Sequence, residues 1–339
     1  MKLTHEILHH YQTKGMPPAV QGVSLEGQVV LITGANTGLG FEAAKHFAIR
    51  GPTKLILVCR NEEKGRDAVD RVKSETGFDR VELWTSDLSS FESVRSVKDK
   101  ILKLERLDIL VENAGVAMDG YHETKDGWET TLQVNVLSTA LRIILHLPQL
   151  IETARKHPET APRIVYVSSA SPDHAHISAE VIDAPNTLKA FHEGHGENVK
   201  DWSTKRYYES KVLADSFMRA LQAHLPTVTC TSVAPGFCES DLSRHATGEQ
   251  AEAVRKLKEV LAYTSEEGGR QLLYAAIGER DKEDQMRGTF LAYSEIWEWS
   301  DFLLSEGGKR LEAKMWKEIL EAAASVDEKA KEVIQEYLS

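Results

Sequence analysis

Thr33-Gly34-Ala35-Asn36-Thr37-Gly38-Leu39-Gly40 follows the apolar run Val29 to Ile32 and leads into Phe41-Glu42-Ala43-Ala44-Lys45-His46-Phe47, a stretch suited to helix. Glycines between a strand and a helix let the backbone turn tightly. They also present free amides at the helix start, where an anion such as a pyrophosphate is held. The spacing is G-x-x-x-G-x-G, not the commoner G-x-G-x-x-G. The turn alone is a weak signal, and its place between strand and helix gives it weight.

Outward from this turn, short apolar runs recur with helix-compatible segments between them: Leu55 to Val58, Val81 to Trp84, Ile109 to Val111, Ile164 to Val167 and Val228 to Val233. Such alternation predicts a parallel sheet. The runs are apolar throughout, as expected for strands covered on both faces. The fold class read from this is α/β, a Rossmann-type doubly wound parallel sheet. No repeat, low-complexity tract or Gly/Ser-rich linker divides it, so one domain is expected over residues 27–304. A helical extension over 1–26 precedes it and another over 305–339 follows. Residues 171–206, rich in His, Asp, Asn and Gly, form an insertion in the pattern. In the tail, Ser325 and Glu328 suggest a capping box, and Val333, Ile334, Tyr337 and Leu338 make an apolar stripe that predicts a docked helix.

Composition narrows the class. The chain has 339 residues, 41% hydrophobic and 27% charged, the balance of an ordinary globular protein. With 52 acidic and 41 basic residues the net charge is -11, and no basic block offers a surface for nucleic acid. Cys59, Cys230 and Cys238 have neither zinc spacing nor an even count for disulfides, which fits a reducing compartment. Near the amino terminus Leu3, Ile7, Leu8 and Tyr11 have helical spacing, but His5, Glu6, His9 and His10 interrupt them, so no signal peptide is expected. No continuous apolar run nears the roughly 20 residues of a spanning helix. A cytoplasmic protein without a membrane span is therefore expected.

Residues at the predicted strand ends carry the chemistry. The second strand ends in Cys59-Arg60-Asn61, where an acidic side chain would select the ribose hydroxyls of NAD. A guanidinium there suits a 2′-phosphate, so Arg60, with Lys64 as an assistant, predicts NADP(H) over NAD(H). Asp87-Leu88 follows the third strand and Asn113-Ala114-Gly115 the fourth, at the edge where nucleotide cofactors bind. Asp87 can accept from an adenine amino group, while Asn113 and Gly115 allow close backbone approach.

Tyr207-Tyr208-Glu209-Ser210-Lys211 opens a helical segment, and residues four apart share a face, which places the Tyr207 phenol beside the Lys211 ammonium. A neighbouring cation favours phenolate and brings a group of ordinary pKa near 10 toward neutrality, making Tyr207 the candidate acid and base. Tyr208, three residues before Lys211, is a geometric rival. Ser169 closes the fifth strand in Val167-Ser168-Ser169, where its hydroxyl can polarise a substrate carbonyl. It lacks the G-x-S-x-G elbow and histidine partner of a nucleophile. Asn135 is polar within an apolar helical stretch and reads as a holder of a water that relays protons from Lys211, or as a satisfied core asparagine.

Jointly these motifs, in this order from about Gly27 to Tyr293, resemble the short-chain dehydrogenase/reductase family. The Cys59-Arg60-Asn61 turn with Glu62 to Lys64 is similar to its retinol-dehydrogenase-like and NADP-using carbonyl reductases. The resemblance implies a catalytic tetrad of Asn135, Ser169, Tyr207 and Lys211, with Lys211 also holding the nicotinamide ribose. It implies cofactor contacts from Gly34, Asn36, Thr37, Gly38, Leu39, Gly40, Asn113, Gly115, Pro235 and Gly236. Four departures stand out. Glu112 precedes Asn-Ala-Gly where a neutral residue is usual, so a buried carboxylate there needs a partner. Ser240 takes the place of a threonine after Pro235-Gly236, for the carboxamide region of the cofactor. The segment between Ser169 and Tyr207 is long and predicts a cover over the substrate. The amino terminus is expected to be without the membrane anchor of many retinol-type relatives.

The activity this implies is hydride exchange between nicotinamide C4 and a ketone, aldehyde or alcohol of a mid-sized apolar substrate. Alternatives are a non-catalytic dinucleotide sensor or scaffold on the same fold, and reduction of a carbon–carbon double bond. His174, His176, His192 and His195 invite a metal reading, but no cysteine or fixed carboxylate pattern supports it, and no metal is expected. Phe191, Trp202, Trp297 and Trp299 are candidates to line the substrate cleft. A homo-oligomer is compatible with the family resemblance.

Overall fold

The computed structural model describes residues 5–170, 177–193 and 202–339. Eight strands form one sheet in the order β3-β2-β1-β4-β5-β6-β7-β8. They are β1 (Val29–Thr33), β2 (Lys54–Cys59), β3 (Val81–Thr85), β4 (Ile109–Glu112), β5 (Arg163–Val167), β6 (Thr229–Ala234), β7 (Thr289–Ala292) and β8 (Glu295–Trp297). All neighbours are parallel except β7 and β8, which pair antiparallel. The order reverses between β1 and β4, the switch point at which a doubly wound sheet opens a crevice beyond its strand carboxyl ends.

Strand side chains alternate between two apolar layers, which is why the runs read as continuously hydrophobic. Val29, Leu31, Ile56 and Ile164 enter one layer, while Val30, Ile32, Leu55, Leu57 and Val165 enter the other. The helices used below are α1 (His5–Lys14), α2 (Gly38–Ile49), α3 (Glu62–Thr76), α4 (Ser138–Lys156), α5 (Ala179–Asp183), α6 (Thr187–Glu193), α7 (Trp202–His224), α8 (Ser265–Ile277), α9 (Glu306–Val326) and α10 (Glu328–Tyr337). Helices α2 and α8 pack on each other over the second layer; α4 and α7 lie over the first, beneath α9 and α10.

The six predicted strands are present, five of them extended by a residue or two at their ends and the sixth shifted by one residue to Thr229–Ala234. Strands β7 and β8 were not among the predicted runs: they are four and three residues long, joined by Tyr293 and Ser294 at φ 52° and 58°. Paired left-handed residues usually announce themselves as Gly or Asn. Here the conformation is held from outside, by Gln271, whose amide accepts from the Ser294 N–H at 2.7 Å and donates to its hydroxyl at 3.1 Å. Trp297 consequently lies within the eighth strand, not beyond the last.

The tail docks as expected: Val333 and Leu338 are buried, with Ile334 and Tyr337 against the same cluster. Its cap differs from the expectation. Asp327, not Ser325, caps α10, accepting from the Ala330 N–H at 2.9 Å, because Ser325 still belongs to α9 and its hydroxyl donates to the Ala322 carbonyl. The helix over residues 130–156 is broken by Gln133, Asn135, Arg142 and His146 and so is no continuous apolar run, yet by length and composition alone it is apolar enough to cross a bilayer. That apolarity has a packing cause, since 83% of the window is buried inside the fold.

Candidate active site

The glycine-rich turn leaves β1 and enters α2 with Thr37 at the cap position, extended, its side chain making no capping hydrogen bond. The Thr37 hydroxyl instead donates to Asp241 at 3.2 Å, so the first amides of a 12-residue helix have no side-chain cap. Gly40 cannot carry a side chain: a Cβ there would collide with the Asn113 amide and lie 2.5 Å from the Gly34 carbonyl. Asn113 occupies that space, donating to the carbonyls of Thr33 (2.8 Å) and Gly34 (3.2 Å). The Gly34 amide is taken by the Val58 carbonyl at 2.9 Å, which leaves the uncapped amides at the start of α2 as the ones suited to an anion. Leu39 reaches away from them, toward Gly268 of α8.

Arg60 is exposed at the end of β2, and Lys64 is exposed in the first turn of α3, whose cap is Asn61. Sequence reading did not single out Arg244, which the loop after β6 brings within electrostatic reach of Arg60. Burial first, then the Arg60 charge, holds Arg244 below the usual arginine range. Asp87 is partly buried with Oδ1 accepting from the Ser89 amide and hydroxyl, and Leu88 beside it is buried.

Glu112, the unusual residue before Asn113, has its partner in Arg142 of α4. The guanidinium Nε lies 2.8 Å from one carboxylate oxygen, its terminal nitrogen bonds the other, and both side chains are 1% exposed. The Thr33 hydroxyl approaches the same carboxylate at 3.2 Å and accepts from the Asn113 and Ala114 amides, so this pair sits beneath the glycine-rich turn.

Around the predicted tetrad, Ser168 and Ser169 follow β5 and differ in burial. Ser168 is buried and donates to Asp215 at 2.7 Å, whereas Ser169 is partly exposed and hydrogen-bonds the Tyr207 phenol. Tyr208 packs against the apolar cluster and does not compete for that position. Lys211, buried, directs Nζ to the Val167 carbonyl at 2.6 Å and the Tyr166 hydroxyl at 3.1 Å.

This corrects the expected electrostatics of the pair. The Lys211 ammonium stands 5.5 Å from the Tyr207 ring centre and is turned toward main chain. Burial, then Tyr208, pushes the Tyr207 phenol above its ordinary value, with the Ser169 hydrogen bond pulling the other way. Burial pulls Lys211 itself down to about 8, against the opposing pull of Asp215. Asp215, one turn beyond Lys211 and fully buried, is pushed up to about 6 by burial.

Asn135 lies in a π-helical turn, Gln133–Leu137, a backbone irregularity that recurs at functional sites. Its side chain is occupied: Oδ1 accepts from the Val116 amide at 2.9 Å, and the two amide hydrogens go to the Val116 carbonyl and the Ser210 hydroxyl. The side chain therefore braces the segment after Gly115 against α7, and both hydrogens that could hold a water are engaged. Gly115 faces the same corner, where a Cβ would lie 3.2 Å from the Asn135 oxygen and 3.8 Å from Lys211 Nζ.

After β6 the chain turns at Pro235-Gly236. Gly236 has φ 83°, and a Cβ there would touch the Tyr263 ring at 3.0 Å. The Ser240 hydroxyl accepts from the Leu242 amide at 3.4 Å, and its Cβ faces Gly38, next to the glycine turn.

Other expectations shift. Phe191 is buried beneath Arg206, whose guanidinium lies 3.9 Å from its ring centre, so it is core, not cleft lining. Trp297 and Trp299 brace the β7–β8 edge through indole hydrogen bonds to the Ala292 and Gly288 carbonyls. The Trp202 side chain and His174, His176 and His195 lie outside the described residues. His192 accepts from the Glu129 amide at 3.1 Å, and among the described residues no group of three or more His, Cys, Asp or Glu side chains is placed to hold a metal.

The profile of the short chain dehydrogenase family matches residues 28–179. The short-chain dehydrogenase/reductase phmF of Phaeosphaeria nodorum is 32% identical over 315 residues, covering 91% of this chain and 90% of the relative. Among solved structures, a protein from Mycobacterium paratuberculosis aligns with a TM-score of 0.66 at 24% identity, over 91% of this chain and 98% of that one. The RhlG/NADP active-site complex of Pseudomonas aeruginosa aligns with a TM-score of 0.54 at 24% identity, over 79% and 95%. At these identities the structural likeness is one of fold.

Proposed function

The chain belongs to the short-chain dehydrogenase/reductase family, and from that premise we propose that it is an NADP(H)-dependent carbonyl reductase or alcohol dehydrogenase acting on a mid-sized apolar substrate. It is an oxidoreductase of CH–OH and C=O groups; the cofactor preference and substrate class are our reading. The observation that carries the reading is the hydrogen bond between Ser169 and Tyr207 at the strand edge that also bears the uncapped glycine turn.

The uncapped amides at the start of α2 and the Asn113 region would hold the dinucleotide, with Arg60 and Arg244 at its 2′-phosphate. When bound, the nicotinamide supplies or takes up the hydride. Ser169 steadies the substrate oxygen, and Tyr207 gives the proton to that oxygen in reduction or removes it in oxidation. Lys211, charged below about pH 8, holds positive charge behind the phenol as it approaches phenolate. Asn135 fixes the backbone against which Lys211 and the substrate meet. Support for NADP comes from the two arginines, and the RhlG relative in fold holds NADP in its own structure. We place the protein in the cytoplasm, from its composition.

An NADPH-oxidation screen against ketones and aldehydes of graded size tests the activity. Tyr207→Phe is expected to lower turnover by about 100-fold or more while NADPH still binds. Retained turnover in that variant would defeat the mechanism.

A further inference from the structure

Helix α1 lies outside the residues that match the family profile, yet it reaches the turn that follows β6. The Gln12 amide nitrogen donates to the Phe237 carbonyl at 2.7 Å and to the Leu261 carbonyl at 2.6 Å. Its oxygen accepts from the Phe237 amide at 3.1 Å. One side chain thus holds both main-chain groups of the residue after Gly236 and ties them to the end of the helix Gly248–Leu261.

The stretch between those two ties contains Ser240 beside Gly38, Asp241 on Thr37 and Arg244 within electrostatic reach of Arg60. Helix α1 is itself well seated. The Tyr11 ring stacks on Tyr293 at 4.5 Å and meets Trp297 edge-on at 5.4 Å, and the Tyr263 hydroxyl donates to the Tyr11 carbonyl. The same Tyr263 ring walls Gly236, where Gln12 Oε1 would be 3.4 Å from an added Cβ.

We propose that Gln12 is a positioning residue for cofactor binding: it sets the Gly236–Phe237 turn and the excursion to Leu261 in the shape that receives the dinucleotide. This rests on the reading that Pro235 to Ser240 contact the cofactor. A loop ordered in advance spares the binding step the loss of its conformational freedom, so releasing the clasp weakens binding without touching the reacting groups. The amide is needed because it offers a donor to two carbonyls and an acceptor to one N–H. Glutamate has the same shape but sets a carboxylate against two carbonyls.

The test compares full-length wild type, Gln12→Ala, Gln12→Glu and Thr13→Ala by NADPH fluorescence titration, steady-state kinetics, thermal melting and hydrogen exchange of the cofactor-free protein. Thr13 is exposed and bonds only within its own helix. Expected in both Gln12 variants are an NADPH Kd and KM raised about tenfold, kcat within about twofold, and faster exchange at Phe237 and across 238–261. Thr13→Ala should match wild type. If wild type itself fails to bind NADPH, the cofactor reading falls and the inference with it. If wild type binds NADPH and both Gln12 variants bind equally well, the inference alone is overturned. It is also overturned if affinity falls only in step with a lowered Tm, or if kcat falls as much as KM rises.

Discussion

Arg142 and Glu112 form an ion pair that is shut away from solvent directly beneath the turn bearing Thr33 and Asn113. Removing one partner leaves a buried, uncompensated charge, so Arg142→Met is expected to lower unfolding stability by about 3–5 kcal/mol. The double variant Arg142→Met with Glu112→Leu should recover most of that loss, because two apolar groups restore a neutral interior. Urea denaturation of the three proteins checks this; a double variant no better than the single one would show that the pair acts through shape and not charge.

The pH profile should carry the signature of Lys211. Its pKa of about 8 means that the cation is present below that pH and is lost as pH rises through it. The limb of kcat/KM reporting the free enzyme is therefore expected to fall near pH 8 on the alkaline side. Asp215, ionised above about 6, raises the Lys211 pKa. In Asp215→Asn the limb should move to lower pH. An unmoved limb would mean that Lys211 is not the group being read.

Cofactor choice should depend on two arginines rather than one. Arg60→Asp is expected to lower the NADPH-to-NADH ratio of kcat/KM by about tenfold to 100-fold, as the loss of charge-assisted hydrogen bonds predicts. Arg244→Ala should shift it in the same direction by less. Parallel kinetics with both cofactors decide the matter. Wild type preferring NADH, with Arg60→Asp leaving the ratio unchanged, would return Arg60 to the solvated surface.

The segment before Tyr207 is pinned by a carboxylate from the tail. Glu318 accepts from the Thr187 amide at 2.9 Å and the Leu188 amide at 2.8 Å, capping α6, while Lys314 donates to the Ile182 and Ala184 carbonyls. Glu318→Ala is expected to cost about 1–2 kcal/mol in urea unfolding. Since this segment joins Ser169 to Tyr207, the KM for the larger ketones in the panel should rise more than that for the smaller ones. Equal changes across the panel would remove the segment from the substrate's surroundings.

Six strands were readable because a strand buried on both faces must be apolar throughout, and such runs are rare by chance. Strand β7 was not, because its apolar core is only Phe290 to Ala292 and the turn after it uses Tyr293 and Ser294 where sequence signals would require glycine. In the same way Tyr207, Lys211, Ser169 and Asn113 declared themselves through spacing and position at strand ends. Gln12, Arg142 and Arg244 did not. Gln12 meets Phe237 across 225 positions of chain, and Arg142 meets Glu112 across 30, so their roles exist only once the sheet has set their neighbours. The aim of Lys211 was hidden for a related reason: helical spacing places it near Tyr207, but the Val167 carbonyl decides where the ammonium points.

The cap that Glu318 gives to α6 spans 131 positions of sequence. A chain made amino end first at about 5–20 residues per second has Thr187 outside the ribosome many seconds before Glu318. By the end of that interval β1 to β8, the last ending at Trp297, have all emerged, while the amides of Thr187 and Leu188 still await their acceptor. During synthesis, then, the sheet can take shape before the stretch from Ile182 to Leu188 is fastened, and the last helices to be translated are the ones that fasten it.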